Sequence, residues 1–251
     1  MMRRILIPVA ALALTLLSAC GSDDGEGASP TITVLAAASL QGTFTQLGEE
    51  FEADNPDVQV TFSFGASSAL AQQIVQGAPA DVFAAASEST MQQVVDAGEA
   101  PDSTPFAANS LAIAVPPGNP GKVRGIGDLT SPKVKVALCQ PQVPCGAAAK
   151  EALDSAGLVV RPATEEADVS ATLTKAKLGE VDAAVVYVTD VQAAGDAVQA
   201  VEIPKELNVT TTYPVAPLRA AGNPEAAARF VDFVLSERGQ AVLAAAGFAR
   251  P

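Results

Sequence analysis

The fold is decided by residues 31–74, which read TITVLAAASLQGTFTQLGEEFEADNPDVQVTFSFGASSALAQQI. Residues 31–38 are mostly apolar and carry no charge, which is typical of a strand buried on both faces of a parallel sheet. Four apolar residues then recur at spacings of four, three and four, which predicts an amphipathic helix. They are Leu40, Phe44, Leu47 and Phe51. Strict alternation over residues 58–64 predicts a second strand. The stretch therefore predicts a strand, a helix and a second strand in succession.

The rest of the chain continues this alternation of strands and helices. Further strands are predicted at residues 80–85, 111–115, 134–138 and 183–187. Helices are predicted at residues 70–74, 90–97, 146–156 and 169–178, and from residue 224 onward. Repeated strand–helix units specify an α/β fold with parallel sheets, in which ligands bind at the carboxyl ends of the strands.

The N-terminus predicts export. Arg3 and Arg4 precede an apolar run at residues 5–17, which is too short to span a bilayer and is typical of a signal peptide. Small residues and then Cys20 follow, as in a bacterial lipoprotein signal. We expect a signal peptide at residues 1–19, lipidation of Cys20, and a flexible tether over residues 20–30. Ordinary cleavage beside an incidental cysteine is the alternative.

The charge of the chain excludes some partners. The full sequence has a net charge of −13, and removal of residues 1–19, which hold two Arg and no acid, leaves −15. A surface this acidic argues against nucleic acid and against electrostatic attachment to anionic lipid.

Two cysteines remain once Cys20 is lipidated. Cys139 and Cys145 form an even pair in an oxidising compartment, so a disulfide is the natural interpretation. A metal pair is the alternative, although two thiols in a chain without histidine make a poor metal site.

Enzyme motifs are missing from the sequence. Without histidine there is no Ser-His-Asp or Cys-His relay, and neither GxSxG nor GxxxxGK[ST] occurs. The adjacent acids Glu165 and Glu166 are interpreted as a solvated helix entry. We therefore expect a protein that is not an enzyme, has no cofactor and holds no metal through its side chains.

Serines stand where two predicted strands give way to helices. Ser39 follows the first strand, and Ser67 and Ser68 follow the second. Each could simply cap its own helix. Hydroxyls and free N–H groups at helix N-termini also make an anion pocket that needs no Lys or Arg. A fully ionised tetrahedral oxyanion has only acceptors, so such a pocket suits it and rejects protonated oxyanions.

Several motifs resemble those of periplasmic molybdate-binding proteins. The resemblance is carried by residues 32–40 (ITVLAAASL), 64–74 (FGASSALAQQI) and 77–83 (GAPADVF). Shorter matches follow at residues 109–111 (NSL), 143–146 (VPCG), 167–169 (ADV), 186–190 (VYVTD) and 247–248 (GF). Together they cover essentially all of residues 31–251 in order.

This resemblance implies a two-lobed type II periplasmic binding protein fold with the oxyanion molybdate, or tungstate, held in the cleft by hydrogen bonds alone. Ser39 and Ser67 would each give a hydroxyl and a backbone N–H. Cys145 and Val169 would give backbone N–H groups, and Tyr187 its phenolic O–H. Cys145 stands where the family has a small Ala, an exchange that a backbone donor tolerates. Taken alone, Val169 is a core residue of a helix and Tyr187 a half-buried packing residue.

The resemblance also implies the working context. One lobe would comprise residues 31–110 and 215–251, and the other residues 111–214. We expect a monomer, anchored outside the cell membrane, that delivers its ligand to the permease of an ABC transporter. A binder of another tetrahedral oxyanion such as sulfate is the nearest alternative. An adhesin or sensor lipoprotein, or a hydrolase using Ser39, are alternatives from other classes.

Overall fold

The computed structural model describes residues 30–251. The predicted signal peptide, Cys20 and the tether before residue 30 lie outside the described residues. The strands are β1 (Thr31–Ala37), β2 (Gln59–Gly65), β3 (Val82–Ala84), β4 (Thr104–Val115), β5 (Val136–Cys139), β6 (Thr164–Glu166), β7 (Ala183–Tyr187), β8 (Gln199–Val201) and β9 (Thr210–Pro217). The helices are α1 (Gln41–Asp54), α2 (Ser67–Val75), α3 (Glu88–Asp96), α4 (Pro144–Ser155), α5 (Val169–Lys177), α6 (Val188–Ala194), α7 (Pro224–Leu235) and α8 (Glu237–Ala245). Within this range, no helix combines the length and apolarity needed to cross a membrane.

The strands lie in the order β2-β1-β3-β9-β4-β7-β5-β6, with β8 paired to β4. Two groups are parallel, as predicted. In the first, β1 pairs with β2 and β3, and in the second, β5 pairs with β6 and β7. The strands β4 and β9 run antiparallel to their neighbours and join the two groups. The predicted α/β class is confirmed, with mixed rather than purely parallel pairing.

One long strand, β4, passes through both groups. Its first part, residues 104–110, pairs with β9, and its second part, residues 111–114, pairs with β7. The strand begins at Thr104 rather than at the predicted Leu111. Pro105 and Asn109 have low strand propensity, so the first part carries a weak sequence signal. Because β4 is continuous, the two groups of strands meet along it.

Each parallel group has its own hydrophobic core. Around the first group the core is rich in aromatic rings, among them Phe51 and Phe230, whose centroids lie 5.3 Å apart edge to face. Around the second group the core consists mainly of alanine and valine side chains from β4, β5, β7, α4 and α5. Separate cores are what a two-lobed protein requires, because each lobe must bury its own apolar surface.

The acidic pair Glu165–Glu166 lies in a strand and not at a helix entry, so that interpretation of the sequence is wrong. Both residues belong to β6, where they pair with Leu138 and Cys139 of β5. β6 is at the end of the strand order, and charged side chains are common on such edges because they discourage further strand pairing.

Candidate functional site

The carboxyl ends of β1, β2, β5 and β7 surround a small cavity between the two groups of strands. Its volume is about 20 Å³, on a measure by which one water molecule needs roughly 10–15 Å³. The lining residues are Ala37, Ala38, Ser39, Gly65, Ala66, Ser67, Ala86, Val143, Pro144, Cys145, Asp168, Val169 and Tyr187. All five residues that the family resemblance implies as ligand contacts are among them. The structure therefore brings these residues together around a space that fits one compact ligand.

Ser39 lies in a single 3₁₀ turn, Ala38–Leu40, directly after β1. The sequence allowed Ser39 to cap a helix, and the structure contradicts this role. Ala37 is the cap residue of the 3₁₀ turn and Leu40 that of α1, and neither element has a side-chain cap hydrogen bond. The Ser39 hydroxyl instead lies 3.0 Å from the hydroxyl of Tyr213. Ser39 thus contacts the cavity and a buried polar side chain at the same time.

Ser67 is the first residue of α2 and is only 1% exposed. It does not cap the helix, since Ala66 holds the cap position without a side-chain hydrogen bond. Its Oγ accepts the backbone N–H of Ala86 at 3.0 Å. A hydroxyl that accepts this bond keeps its own proton for another partner. Ser68, the neighbour in sequence, is not among the cavity residues.

Cys145 reaches the cavity at the start of α4. Pro144 occupies the first position of the helix and has no N–H, so the N–H of Cys145 is the first one the helix offers. A disulfide links Cys145 to Cys139 at the end of β5, with the Cα atoms 5.8 Å apart. The loop between them is tight, since a Cβ on Gly146 would stand 2.0 Å from the carbonyl oxygen of Gln140. Bond and packing together fix the position of the Cys145 N–H.

The disulfide also bears on the metal alternative. Both thiols of Cys139 and Cys145 are joined to each other, and a disulfide sulfur is a poor metal ligand compared with a thiolate. Among residues 30–251, no group of three or more His, Cys, Asp or Glu could hold a metal ion.

Val169 is the first residue of α5, where a backbone N–H has no acceptor within the helix. The preceding Asp168 is the only carboxylate among the cavity residues that the structure describes. Its Oδ1 accepts the N–H of Ala171 at 2.8 Å, so the carboxylate caps the helix. The positive end of α5 offsets this negative charge and leaves the Val169 N–H available at the cavity.

Tyr187 ends β7 and is 1% exposed, so it is a fully buried residue. Its hydroxyl has no hydrogen-bond partner among residues 30–251. Burial raises the pKa of this phenol, and the charge of Asp190 raises it further, while the nearby hydroxyls of Thr211 and Tyr213 act in the opposite sense without reaching hydrogen-bond geometry. Tyr187 therefore stays protonated and brings a donor without an acceptor to the cavity wall.

Asp190 holds the backbone of Tyr187 in place. Its Oδ2 accepts the backbone N–H of Tyr187 at 2.9 Å, which fixes the end of β7 against the start of α6. Burial raises the pKa of Asp190 to about 7, with a smaller contribution from the charge of Asp168.

Apart from the Asp168 carboxylate, which caps α5, the polar groups at the cavity form a neutral set of donors. Three helices, α2, α4 and α5, direct their N-termini at it, and two serine hydroxyls and one phenol join them. No Lys or Arg is among the described residues that line it. Such a set of fixed dipoles stabilises negative charge without any positively charged side chain.

Two further residues of this region are not predicted as ligand or positioning residues from the sequence. Tyr213 of β9 and Asn109 of β4 are buried behind Ser39, with the Asn109 Nδ2 3.5 Å from the Tyr213 hydroxyl. Asn109 falls in the short motif NSL, which predicts no role for its side chain, and the sequence predicts no strand at β9. A buried tyrosine whose hydroxyl contacts a candidate ligand residue is visible only once β4 and β9 are paired.

Comparisons with known proteins agree with this architecture. The family profile described as bacterial extracellular solute-binding protein matches residues 32–249. The molybdate-binding protein ModA of Mycobacterium tuberculosis H37Rv is 42% identical, with 97% of this chain and 96% of that protein covered. The putative ABC transporter substrate-binding lipoprotein YvgL of Bacillus subtilis is 30% identical, with 99% of both covered. The resemblance inferred from the motifs is thereby confirmed.

A solved structure supports the same conclusion on the fold. The periplasmic molybdate-binding protein of Azotobacter vinelandii superposes with a TM-score of 0.76 at 23% identity, covering 88% of this chain and 99% of that one. The two-lobed type II architecture is confirmed by this likeness. The relatives bear the names of binding proteins, which confirms the prediction that this protein is not an enzyme. The chain belongs to the family of bacterial extracellular solute-binding proteins.

Proposed function

We propose that this protein binds molybdate, and tungstate in the same way, in the cavity lined by the five predicted contacts. The observation that carries the proposal is the buried hydroxyl of Tyr187, a donor without a partner at a cavity that helix N-termini already make favourable for an anion. The names of the Mycobacterium and Azotobacter proteins support molybdate as the oxyanion.

The proposed contacts are hydrogen bonds alone. Ser39 and Ser67 each give a hydroxyl and a backbone N–H, Cys145 and Val169 give backbone N–H groups, and Tyr187 gives its phenolic O–H. Every one of these groups can donate, and a fully ionised tetrahedral oxyanion can only accept. Hydrogen bonds to a charged acceptor are each worth about 1.5–3 kcal/mol, so the set accounts for tight binding without an ion pair.

The setting of the proposal is extracytoplasmic. Residues 1–19 would direct export, and Cys20 would be lipidated and tether the protein to the membrane. The name of the Bacillus relative, a substrate-binding lipoprotein of an ABC transporter, supports both the anchor and delivery to a permease. The protein would act as a monomer, with residues 31–110 and 215–251 closing against residues 111–214. Separate cores around the two groups of strands support a division into two lobes, and Tyr213 belongs to the core of the first group, so the structure favours a boundary before residue 213.

Isothermal titration calorimetry tests the proposal directly. The purified protein should bind molybdate and tungstate with one site, and sulfate much more weakly. Ser39→Ala combined with Ser67→Ala should lower the affinity for molybdate by about a hundredfold or more, because two bonds to the anion are lost. Ser68→Ala is the matched control, since Ser68 is the next residue and does not line the cavity.

Two results would count against the proposal. Tight sulfate binding that molybdate fails to displace would replace molybdate by another tetrahedral oxyanion. Unchanged molybdate affinity in the double serine variant would place the anion at a different site.

A further inference from the structure

A chain of buried polar side chains ends at Ser39. The Asn109 Nδ2 donates to the hydroxyl of Thr189 at 2.8 Å and lies 3.5 Å from the hydroxyl of Tyr213. The Tyr213 hydroxyl lies 3.0 Å from Ser39 Oγ, and Ser39 lines the cavity. Asn109 is 3% exposed and Tyr213 is 0% exposed, so bulk water does not compete for these bonds.

The direction of these bonds follows from counting donors. The Asn109 Oδ1 accepts the backbone N–H of Ser110 at 3.0 Å, and only the oxygen of an amide can accept. The amide therefore turns its NH₂ group towards Thr189 and Tyr213, with one proton for each. A tyrosine hydroxyl that accepts a hydrogen bond from Asn109 is best satisfied when it donates its own proton in a second hydrogen bond.

Among the described residues, Ser39 Oγ is the acceptor within hydrogen-bond distance of the Tyr213 hydroxyl. If Tyr213 donates to Ser39, the oxygen of Ser39 is used as an acceptor. The proton of Ser39 is then left to point into the cavity, where an oxyanion would accept it. The same logic holds for Ser67, whose oxygen accepts the N–H of Ala86. Each serine oxygen thus accepts a hydrogen bond from a group outside the cavity lining or at its edge, Tyr213 for Ser39 and the N–H of Ala86 for Ser67.

We propose that Tyr213, itself oriented by Asn109, is a positioning residue that fixes the hydroxyl of Ser39 as a hydrogen-bond donor to the bound oxyanion. This inference rests on the proposed function, because it requires an anion in the cavity. Tyr213 does not touch the ligand, since it is absent from the described cavity lining.

Tyr213 also packs as an aromatic ring, and the experiment must separate the two roles. Its ring makes edge-to-face contacts with Phe106, Tyr187 and Phe248 at centroid distances of 6.3, 5.9 and 5.5 Å. Tyr213→Phe keeps the ring and removes only the hydroxyl. Any loss of affinity in this variant therefore reports on the hydroxyl, with its contacts to Ser39 and Asn109, and not on packing.

The test is a double-mutant cycle measured by calorimetry with molybdate as the probe. Tyr213→Phe should weaken binding about three- to tenfold in the otherwise unchanged protein, the effect of one net hydrogen bond. In a Ser39→Ala background the same change should alter the affinity less than about twofold, because the hydroxyl that Tyr213 orients is gone. Tyr187→Phe serves as the comparator, and its loss should persist in both backgrounds.

The outcomes are distinct. Unchanged affinity in Tyr213→Phe, or an equal loss with and without Ser39, would refute the positioning role while leaving the proposed function intact. If Tyr213→Phe did not fold, Asn109→Ala takes its place, and its loss of affinity should again depend on Ser39. If the unchanged protein bound sulfate instead, the same cycle is run with sulfate. If it bound neither anion, the proposed function would fail, and the positioning role with it.

Discussion

Tyr187→Phe should make the protein more stable and a poorer binder at once. The change removes one oxygen atom from a fully buried ring and leaves its packing in place. The hydroxyl has no hydrogen-bond partner within residues 30–251, so the folded protein without ligand gains nothing from it. In the complex, by contrast, we expect that hydroxyl to donate to the anion.

The expected changes in stability and in binding free energy both arise from the hydroxyl oxygen of Tyr187. Burying a hydroxyl without a partner costs about 1–3 kcal/mol. The cavity has room for water, which offsets part of that cost, so we expect the free energy of unfolding without ligand to rise by about 1 kcal/mol. Losing a hydrogen bond to a charged ligand removes about 1.5–3 kcal/mol of binding free energy. That loss corresponds to roughly a ten- to hundredfold increase in Kd.

Urea denaturation without ligand and calorimetry with molybdate measure the two effects. The sequence has two tyrosines, which gives a matched control. Tyr213→Phe makes the same chemical change to a hydroxyl that does have partners, so it should lower the stability of the ligand-free protein by about 1 kcal/mol. A Tyr187→Phe protein that is less stable and binds as before would refute the reasoning, because the hydroxyl would then have a structural partner and no ligand.

Three further predictions concern the surroundings of the cavity. Gly146→Ala should destabilise the protein by at least about 3 kcal/mol in urea denaturation, because its new Cβ would stand 2.0 Å from the carbonyl oxygen of Gln140. The pKa of an unfolded Asp is about 3.9, whereas burial raises the pKa of Asp190 to about 7. Between these two pH values the folded state therefore holds a proton that the unfolded state has lost. This group's contribution to stability should therefore fall by up to about 1.4 kcal/mol per unit as pH rises from about 4 to 7, and Asp190→Asn should remove that slope. Replacing Cys139 and Cys145 together by serine should lower the free energy of unfolding by about 2 kcal/mol and weaken molybdate binding; equal affinity would show that the loop holds its position without the bond.

The sequence predicted the elements whose burial is one-sided or complete. The apolar periodicity of α1 and the uncharged run of β7 gave their positions well, and β7 agrees with the prediction from Ala183 to Tyr187. The strand β9 was missed because Pro214 and Pro217 interrupt its pattern, although both are tolerated where the strand's neighbours do not need their N–H groups. Tyr213 lies in this missed strand, so its contact with Ser39 had no sequence signal.

The serine side-chain donors of the site could be predicted from the sequence, whereas the backbone donors could not. The positions of Ser39 and Ser67 follow from hydroxyls at the ends of strands, although the expected capping bonds are not the ones the structure contains. The donors assigned to Cys145 and Val169 are backbone N–H groups, which any residue except proline provides. No side-chain pattern can mark such a donor, so these two residues were reached only through the family resemblance.

Residues from both parallel groups of strands line the cavity, and this has a consequence for how a bound anion would be released. In the proposed site, Ser39 and Ser67 come from one group, and Cys145, Val169 and Tyr187 come from the other. None of these five donor groups is itself charged, so the anion could leave without a proton transfer to any of them. Moving the two halves apart by a few ångströms would suffice, because protein hydrogen bonds form at donor–acceptor distances of about 2.7–3.2 Å. Release of the anion would then require only a conformational change that separates the two halves.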